Sequence, residues 1–173
     1  MSDTAFGYTA DVAIGEQFSA LMDTRDIAMV VATTAVGEVR AGCLVGFSTQ
    51  CSIDPPRLLV FVSNKNRTYE LAGQASILAV HFLAEDDRGL AELFGGETGD
   101  DVDKFAKCTW REVLGVPVLE ECGRWVVGGV VDRYEPGDHA GLLLEPLVVG
   151  LSPGPGHDLT LQAVKDIDAG HDA

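Results

Sequence analysis

Apolar residues recur along this chain mainly as strand-length runs. Ile27 to Thr34 (IAMVVATT), Leu58 to Val62 (LLVFV), Ser76 to Leu83 (SILAVHFL) and Trp125 to Val131 are rich in β-branched and aromatic residues, and each predicts a strand. Val36-Gly37-Glu38 predicts a hairpin turn, with Val39 to Val45 returning. Glu135-Pro136-Gly137-Asp138 is a turn sequence that leads into a return strand over Ala140 to Gly150. Gly128-Gly129 inside a strand predicts a bulge or a close backbone approach. Helical spacing is confined to short stretches. Ile14, Phe18, Leu21 and Met22 predict an amphipathic helix over Ile14 to Asp23. Thr68 to Gly73 reads as one or two helical turns stopped by glycine. Glu85 to Phe94 places Leu90, Leu93 and Phe94 on one face, with acidic residues where the helix dipole favours them. Gly95 to Asp101 then reads as a loop, either a lid or a plain connection.

At least six strands joined by short turns, with a few short helices, predict a mainly β fold: a closed antiparallel barrel with helical trim. The length of 173 residues fits a single domain over residues 1–173. Its core is expected at about 12–150, after a loose lead-in, with a C-terminal extension at about 152–173. In that extension Leu159, Leu161, Val164 and Ile167 are packing positions, and the last few residues are expected to be disordered. There is no G-x-G-x-x-G at a strand–helix junction and no P-loop, so a Rossmann unit is not indicated.

The net charge of −15 argues against nucleic acid and anionic membrane surfaces as partners. No apolar run approaches the ~20 residues of a membrane span. The N-terminus lacks a basic segment followed by an apolar one, so no signal peptide is expected and the expected location is cytoplasmic. In so acidic a chain the cations are informative: Lys65, Lys104 and Lys107 fall in or beside two loops, either as ordinary surface lysines or as anion contacts. Cys43, Cys51, Cys108 and Cys122 form no C-x-x-C pair and have no His at metal-ligand spacing, so no metal site is expected. They read as reduced, packed thiols, with a redox role for Cys43 or Cys51 as the minor alternative. His81, alone in an apolar strand, reads as a hydrogen-bonded core residue rather than a ligand.

Ala41 to Tyr69 carries the candidate chemistry. Asp54-Pro55-Pro56 forces a turn or an edge between two strands. After the second strand, Ser63-Asn64-Lys65-Asn66-Arg67-Thr68 gathers N–H groups, hydroxyls and a guanidinium at a strand-to-helix junction, which suits an anion. Gly46-Phe47-Ser48-Thr49-Gln50 offers backbone and hydroxyl groups beside a glycine that allows close approach. Other readings of the same residues are that Ser63 and Thr68 cap the helix, that Arg67 pairs with Glu70, and that His139 completes a Gly-Asp turn.

Ser52-Ile53-Asp54-Pro55-Pro56, the apolar strand after it and Ser63 to Thr68 together resemble the flavin reductase-like family, the FMN-binding split barrels. Asp103-Lys104-Phe105, Trp110 with Gly115-Val116-Pro117-Val118-Leu119, and Gly137-Asp138-His139 are similar to further family elements in the same order. Many members read N/S-S-F-T-S before S-x-D-P-P, where this chain has Gly46 to Gln50. The resemblance implies a Greek-key split barrel that binds FMN, with FAD as the alternative, and takes electrons from NADH or NADPH. It implies flavin contacts along Gly46, Phe47, Ser48, Thr49 and Gln50. It places the phosphate near Ser63, Asn66, Arg67 and Thr68, with Lys104 as a second cation beside Phe105. His139 falls on the nicotinamide or substrate side as the catalytic candidate. A homodimer and a monooxygenase supplied with reduced flavin are the implied partners. The alternatives are an FMN-carrying protein that does not oxidise NAD(P)H efficiently, or a barrel using a deazaflavin.

Overall fold

The computed structural model describes residues 14–99, 101–152 and 156–170. The lead-in expected over residues 1 to about 12 and the disorder expected at the last few residues lie outside the described residues, apart from the segment up to residue 170. The strands are β1 (Val30–Val36), β2 (Val39–Val45), β3 (Ser48–Ser52), β4 (Arg57–Ser63), β5 (Ile77–Phe82), β6 (Trp110–Val113), β7 (Val116–Leu119), β8 (Arg124–Tyr134) and β9 (His139–Leu151). The helices are α1 (Ile14–Met22), α2 (Arg67–Gln74), α3 (Arg88–Gly96) and α4 (Leu161–Val164), with single 3₁₀ turns at Glu85–Asp87 and Lys104–Ala106.

Seven strands form one antiparallel sheet in the order β2-β1-β5-β8-β9-β4-β3. Cys43 and Val45 of β2 share one apolar cluster with Leu58, Val60 and Val62 of β4, although five places separate β2 from β4 in that order. A flat sheet cannot bring these strands together, so the sheet is rolled into a barrel around that cluster. Leu78, Val80, Leu142 and Leu144 fill its middle from the intervening strands. This is the split barrel expected from the sequence. A second cluster outside the barrel joins Leu90 and Phe94 of α3 to Met29, Phe105, Leu119, Leu159 and Val164.

Gly128 sits at a bulge of β8, where a Cβ would lie 2.9 Å from Leu144 Cβ and 3.1 Å from the Glu145 carbonyl oxygen. Gly128 therefore marks both the bulge and a close backbone approach, whereas a Cβ at Gly129 would meet only the Leu147 side chain at 3.5 Å. His81 is fully buried. Its Nδ1–H donates to the Val31 carbonyl at 3.0 Å and its Nε2 accepts from the Leu119 N–H at 3.0 Å. It is the core residue that its apolar setting suggested, and it ties β5 to both β1 and β7.

The β6–β7 hairpin was not anticipated from the chain pattern. Its two-residue turn has positive φ at both Leu114 (51°) and Gly115 (82°), the geometry of a twist-matched hairpin. A leucine at a left-handed position and Pro117 inside β7 conceal the usual signals. Three boundaries also differ. The α3 helix runs on through Gly96, which shortens the expected loop. Its acidic start is a separate 3₁₀ turn, in which Asp87 Oδ2 accepts from the Ala84 N–H at 2.8 Å. The strand expected over Gly46 to Gln50 begins only at Ser48, because Gly46-Phe47 carries the chain around the barrel corner, where the Phe61 N–H donates to the Phe47 carbonyl at 2.9 Å.

The C-terminal segment packs against the barrel as its apolar spacing predicts. Leu159 and Val164 are buried. The Met29 N–H donates to the Leu159 carbonyl at 2.8 Å, and the Leu159 N–H donates to the Leu83 carbonyl at 2.9 Å. Arg88 reaches both oxygens of Asp166, at 2.8 and 2.7 Å.

Candidate functional site

Two cavities open side by side where the β4–α2 junction faces β2. The first, of about 390 Å³, is polar. One wall is β2 from Glu38 to Gly42, the second is Asn66, Arg67 and Thr68, and the third is Gly99 with Asp101 to Phe105. Asn66 is the N-cap of α2, with extended backbone and no side-chain cap bond. The helix dipole and the first-turn amides of α2 therefore begin at this wall. Arg67 is half-buried, and its Nη1 donates to the Gly99 carbonyl at 2.8 Å, which ties the loop after α3 to the cavity. Thr68 is buried against Cys43.

Lys104 is only 6% exposed. Its Nζ donates to the carbonyls of Phe94 (3.0 Å) and Gly42 (3.3 Å) and lies 5.6 Å from the centre of the Phe94 ring. Desolvation by burial pulls its pKa down, opposed by the Glu97 carboxylate. Lys104 thus lines the cavity while its ammonium is engaged by backbone carbonyls of β2 and α3.

The second cavity, of about 320 Å³, is largely apolar. Ile27, Met29, Leu44, Val45, Phe47, Phe61 and Phe94 supply its walls, with Gly46, Ser63, Asn66 and His139 at polar points. Asn66 lines both cavities, so the two adjoin. His139 is half-buried and its ring centre lies 5.1 Å from that of Phe47. Its Nδ1 is 2.8 Å from Asp138 Oδ1. The His139 ring beside it holds the Asp138 carboxyl below the usual carboxylate range.

The sequence-predicted residues divide accordingly. Gly46, Phe47, Ser63, Asn66 and His139 meet at the apolar cavity; Asn66, Arg67, Thr68, Lys104 and Phe105 meet at the polar one. Ser48, Thr49 and Gln50 lie on the edge strand β3 and line neither; Thr49 and Gln50 face solvent. The first cavity sets Arg67 and the start of α2 opposite the carboxylates of Glu38, Asp101 and Asp103, and the second is an apolar slot with few polar points.

Residues 25–165 match the flavin reductase like domain. The chain belongs to the flavin reductase-like family. It is 34% identical over 107 residues to the FMN reductase (NADH) RutF of Variovorax paradoxus, covering 60% of this chain and 59% of that protein. It is 29% identical over 111 residues to the reductase subunit HsaB of a flavin-dependent monooxygenase from Rhodococcus jostii, covering 61% of this chain and 55% of that one. The matched region spans less than two thirds of these curated relatives. The crystal structure of an FMN-binding protein from Thermus thermophilus with bound 1-cyclohex-2-enone superposes with a TM-score of 0.79 at 21% identity, over 97% of this chain and 98% of that one. That likeness shows the shared fold.

The structure brings to these two cavities residues that motif reading missed. Gly42 is one: a Cβ there would lie 2.7 Å from Phe94 Cε1, and an interior strand glycine was the available signal. Leu161 and Ala169 reach the apolar cavity from the C-terminal segment, which no local pattern ties to it. Cys43 lines the same cavity, but burial pushes its thiol up to about 11, so it is un-ionised at neutral pH. Burial raises Cys108 and Cys122 to about 11 as well. Among the described residues, no group of three or more His, Cys, Asp or Glu side chains could hold a metal ion, and no helix is long and apolar enough to cross a membrane.

Proposed function

We propose that this chain is an NAD(P)H-dependent flavin reductase that binds FMN across the two cavities. The observation that carries the reading is their junction at Asn66, where a polar anion site adjoins an apolar slot bearing a histidine. The donor set fits the cofactor. Arg67, Asn66 and Thr68 suit a phosphate beside a helix start, and Phe47, Phe61 and Val45 suit an aromatic ring system. Lys104 lines the same cavity, its ammonium held by the Gly42 and Phe94 carbonyls. When bound, the flavin supplies the hydride-accepting chemistry. The chain positions it, excludes water with the apolar slot, and offers His139. Asp138 engages Nδ1 of that ring, which leaves Nε2 as the nitrogen to hold or accept a proton on the nicotinamide side.

Titration with FMN, followed by absorbance and flavin fluorescence, tests the reading; binding in the micromolar range or tighter is expected, followed by bleaching with NADH or NADPH. Absence of saturable binding overturns it. Bound flavin that neither NADH nor NADPH bleaches would favour a carrier role instead. His139→Ala is expected to slow flavin reduction about 100-fold in stopped flow, the lower end of general acid–base contributions, with FMN affinity retained. Lost FMN affinity in that variant would make His139 a cofactor contact.

A homodimer is part of the reading. Leu147, Val149 and Leu151 alternate along one face of β9 and are 50%, 65% and 80% exposed, and Val131 of β8 is exposed as well. Sedimentation that returns a monomer would remove it. The reductase-subunit relative supports a monooxygenase as the recipient of reduced flavin, and the cytoplasm is the proposed location.

A further inference from the structure

The polar cavity is larger than one phosphate requires, and its β2 wall carries a side-chain arrangement that the flavin reading leaves unused. Arg40 lines this wall, and its guanidinium carbon lies 4.4 Å from the centre of the Trp110 ring. Trp110 is held in place. Its Nε1–H donates to the Phe105 carbonyl at 3.2 Å, and its ring meets Phe105 edge-on at 6.0 Å, as Phe105 meets Phe94 at 5.6 Å. A fixed tryptophan under an exposed arginine presents a cationic, aromatic-backed shelf. Guanidinium planes and aromatic rings are the surfaces on which nucleobases stack. Beside the shelf, Glu38 and Asp101 line the same cavity. Carboxylates accept from ribose hydroxyls and from an exocyclic amine, and they repel an additional phosphate.

We propose that the β2 side of the polar cavity is a subsite for the adenosine half of a dinucleotide, with Arg40 on Trp110 as the stacking platform and Glu38 as the ribose contact. The subsite is continuous with the anion corner at Arg67, so one phosphate chain would run from one to the other. The inference rests on the flavin reading of that corner and adds the second half of the ligand. Adenosine reaches such a site from FAD or from NADH, and an unphosphorylated ribose suits the acidic rim.

The test is Arg40→Ala and Arg40→Lys, titrated in parallel with FMN and FAD and assayed for the NADH KM with FMN bound. The expected result for both variants is an FAD Kd raised about tenfold, the scale of a lost base stack, with the FMN Kd within about twofold of wild type. Lysine keeps the charge and loses the plane. A tenfold rise in the NADH KM with unchanged FAD affinity would also support the subsite and assign the adenosine to the pyridine nucleotide. If neither FAD affinity nor the NADH KM changes, or if Arg40→Lys behaves as wild type, the platform is overturned while FMN binding leaves the flavin reading standing. If FMN and FAD lose affinity equally, Arg40 is a phosphate contact and the adenosine subsite is overturned. Loss of all flavin binding by the wild-type protein would overturn both readings.

Discussion

Arg67→Ala is expected to weaken FMN binding by roughly 10- to 100-fold, about 1–3 kcal/mol, the scale of a charge-assisted hydrogen bond removed from a partly enclosed site. Two contributions add. The guanidinium is the forked cation of the polar cavity, and its Nη1 also holds the Gly99 carbonyl of the loop that forms the third wall. Riboflavin separates them, since it shares the ring and ribityl chain and lacks the phosphate. If the effect runs through phosphate, Arg67→Ala leaves riboflavin affinity nearly unchanged and flattens the salt dependence of FMN binding. If it runs through the loop, both ligands lose equally. Arg67→Lys should fall between, with the charge restored and the two-point geometry lost. Isothermal titration of the three proteins with both ligands decides among these, and unchanged FMN affinity in Arg67→Ala would remove the phosphate from this corner.

The division of the site into two cavities explains what could be read from the chain and what could not. Ser63 to Thr68 was legible because a strand-to-helix junction compresses its donors into six consecutive residues. His139 was legible through its turn, since Gly137-Asp138 fixes where β9 begins. Arg40, Phe61, Phe94 and Leu161 were not legible. They come from four separate elements that meet only when the sheet has rolled and α3 and the C-terminal segment have packed outside it. Lys104 shows the opposite limit. Its position beside the cavity was legible, while the two carbonyls that hold its ammonium lie 62 and 10 residues away and leave no mark in the local sequence.

The barrel strands themselves were legible because their apolar runs span both a barrel interior and a packed exterior. The β6–β7 hairpin was not, since its strands have four residues each and its turn places a leucine where glycine or asparagine is usual. Its docking depends instead on tertiary contacts. Val116 and Val118 pack with Ala79, Trp125 and Val127, and the Leu119 N–H donates to His81. Trp110, paired with Leu119 across this hairpin, is the base of the Arg40 shelf, so that histidine also bears on the site.

Acid should therefore destabilise the protein in a window set by His81. The ring is fully buried between a donor and an acceptor, and burial pulls its pKa down to about 4 from the ordinary 6.5, with the Val31 carbonyl opposing. Protonation would place a second N–H against the Leu119 N–H. In the unfolded chain the imidazole takes up its proton near pH 6.5, and in the folded chain only near 4. Between these values the unfolded state binds more protons, so stability falls as pH falls through the window and the loss levels off below it. At about 1.4 kcal/mol per pH unit the loss is on the order of 3 kcal/mol. Carboxylates also titrate at the lower end, so the measurement is a difference between wild type and His81→Leu in urea denaturation at pH 7, 5.5 and 4. At pH 7 the variant should be less stable by roughly 1–3 kcal/mol, because the Leu119 N–H is left buried without its acceptor. As the pH drops, wild type loses the His81 contribution and the variant does not, so the gap should close and reverse by pH 4. A gap that stays constant from pH 7 to 4 would show that His81 keeps its charge state on folding, and would place the acid sensitivity of the barrel in its carboxylates.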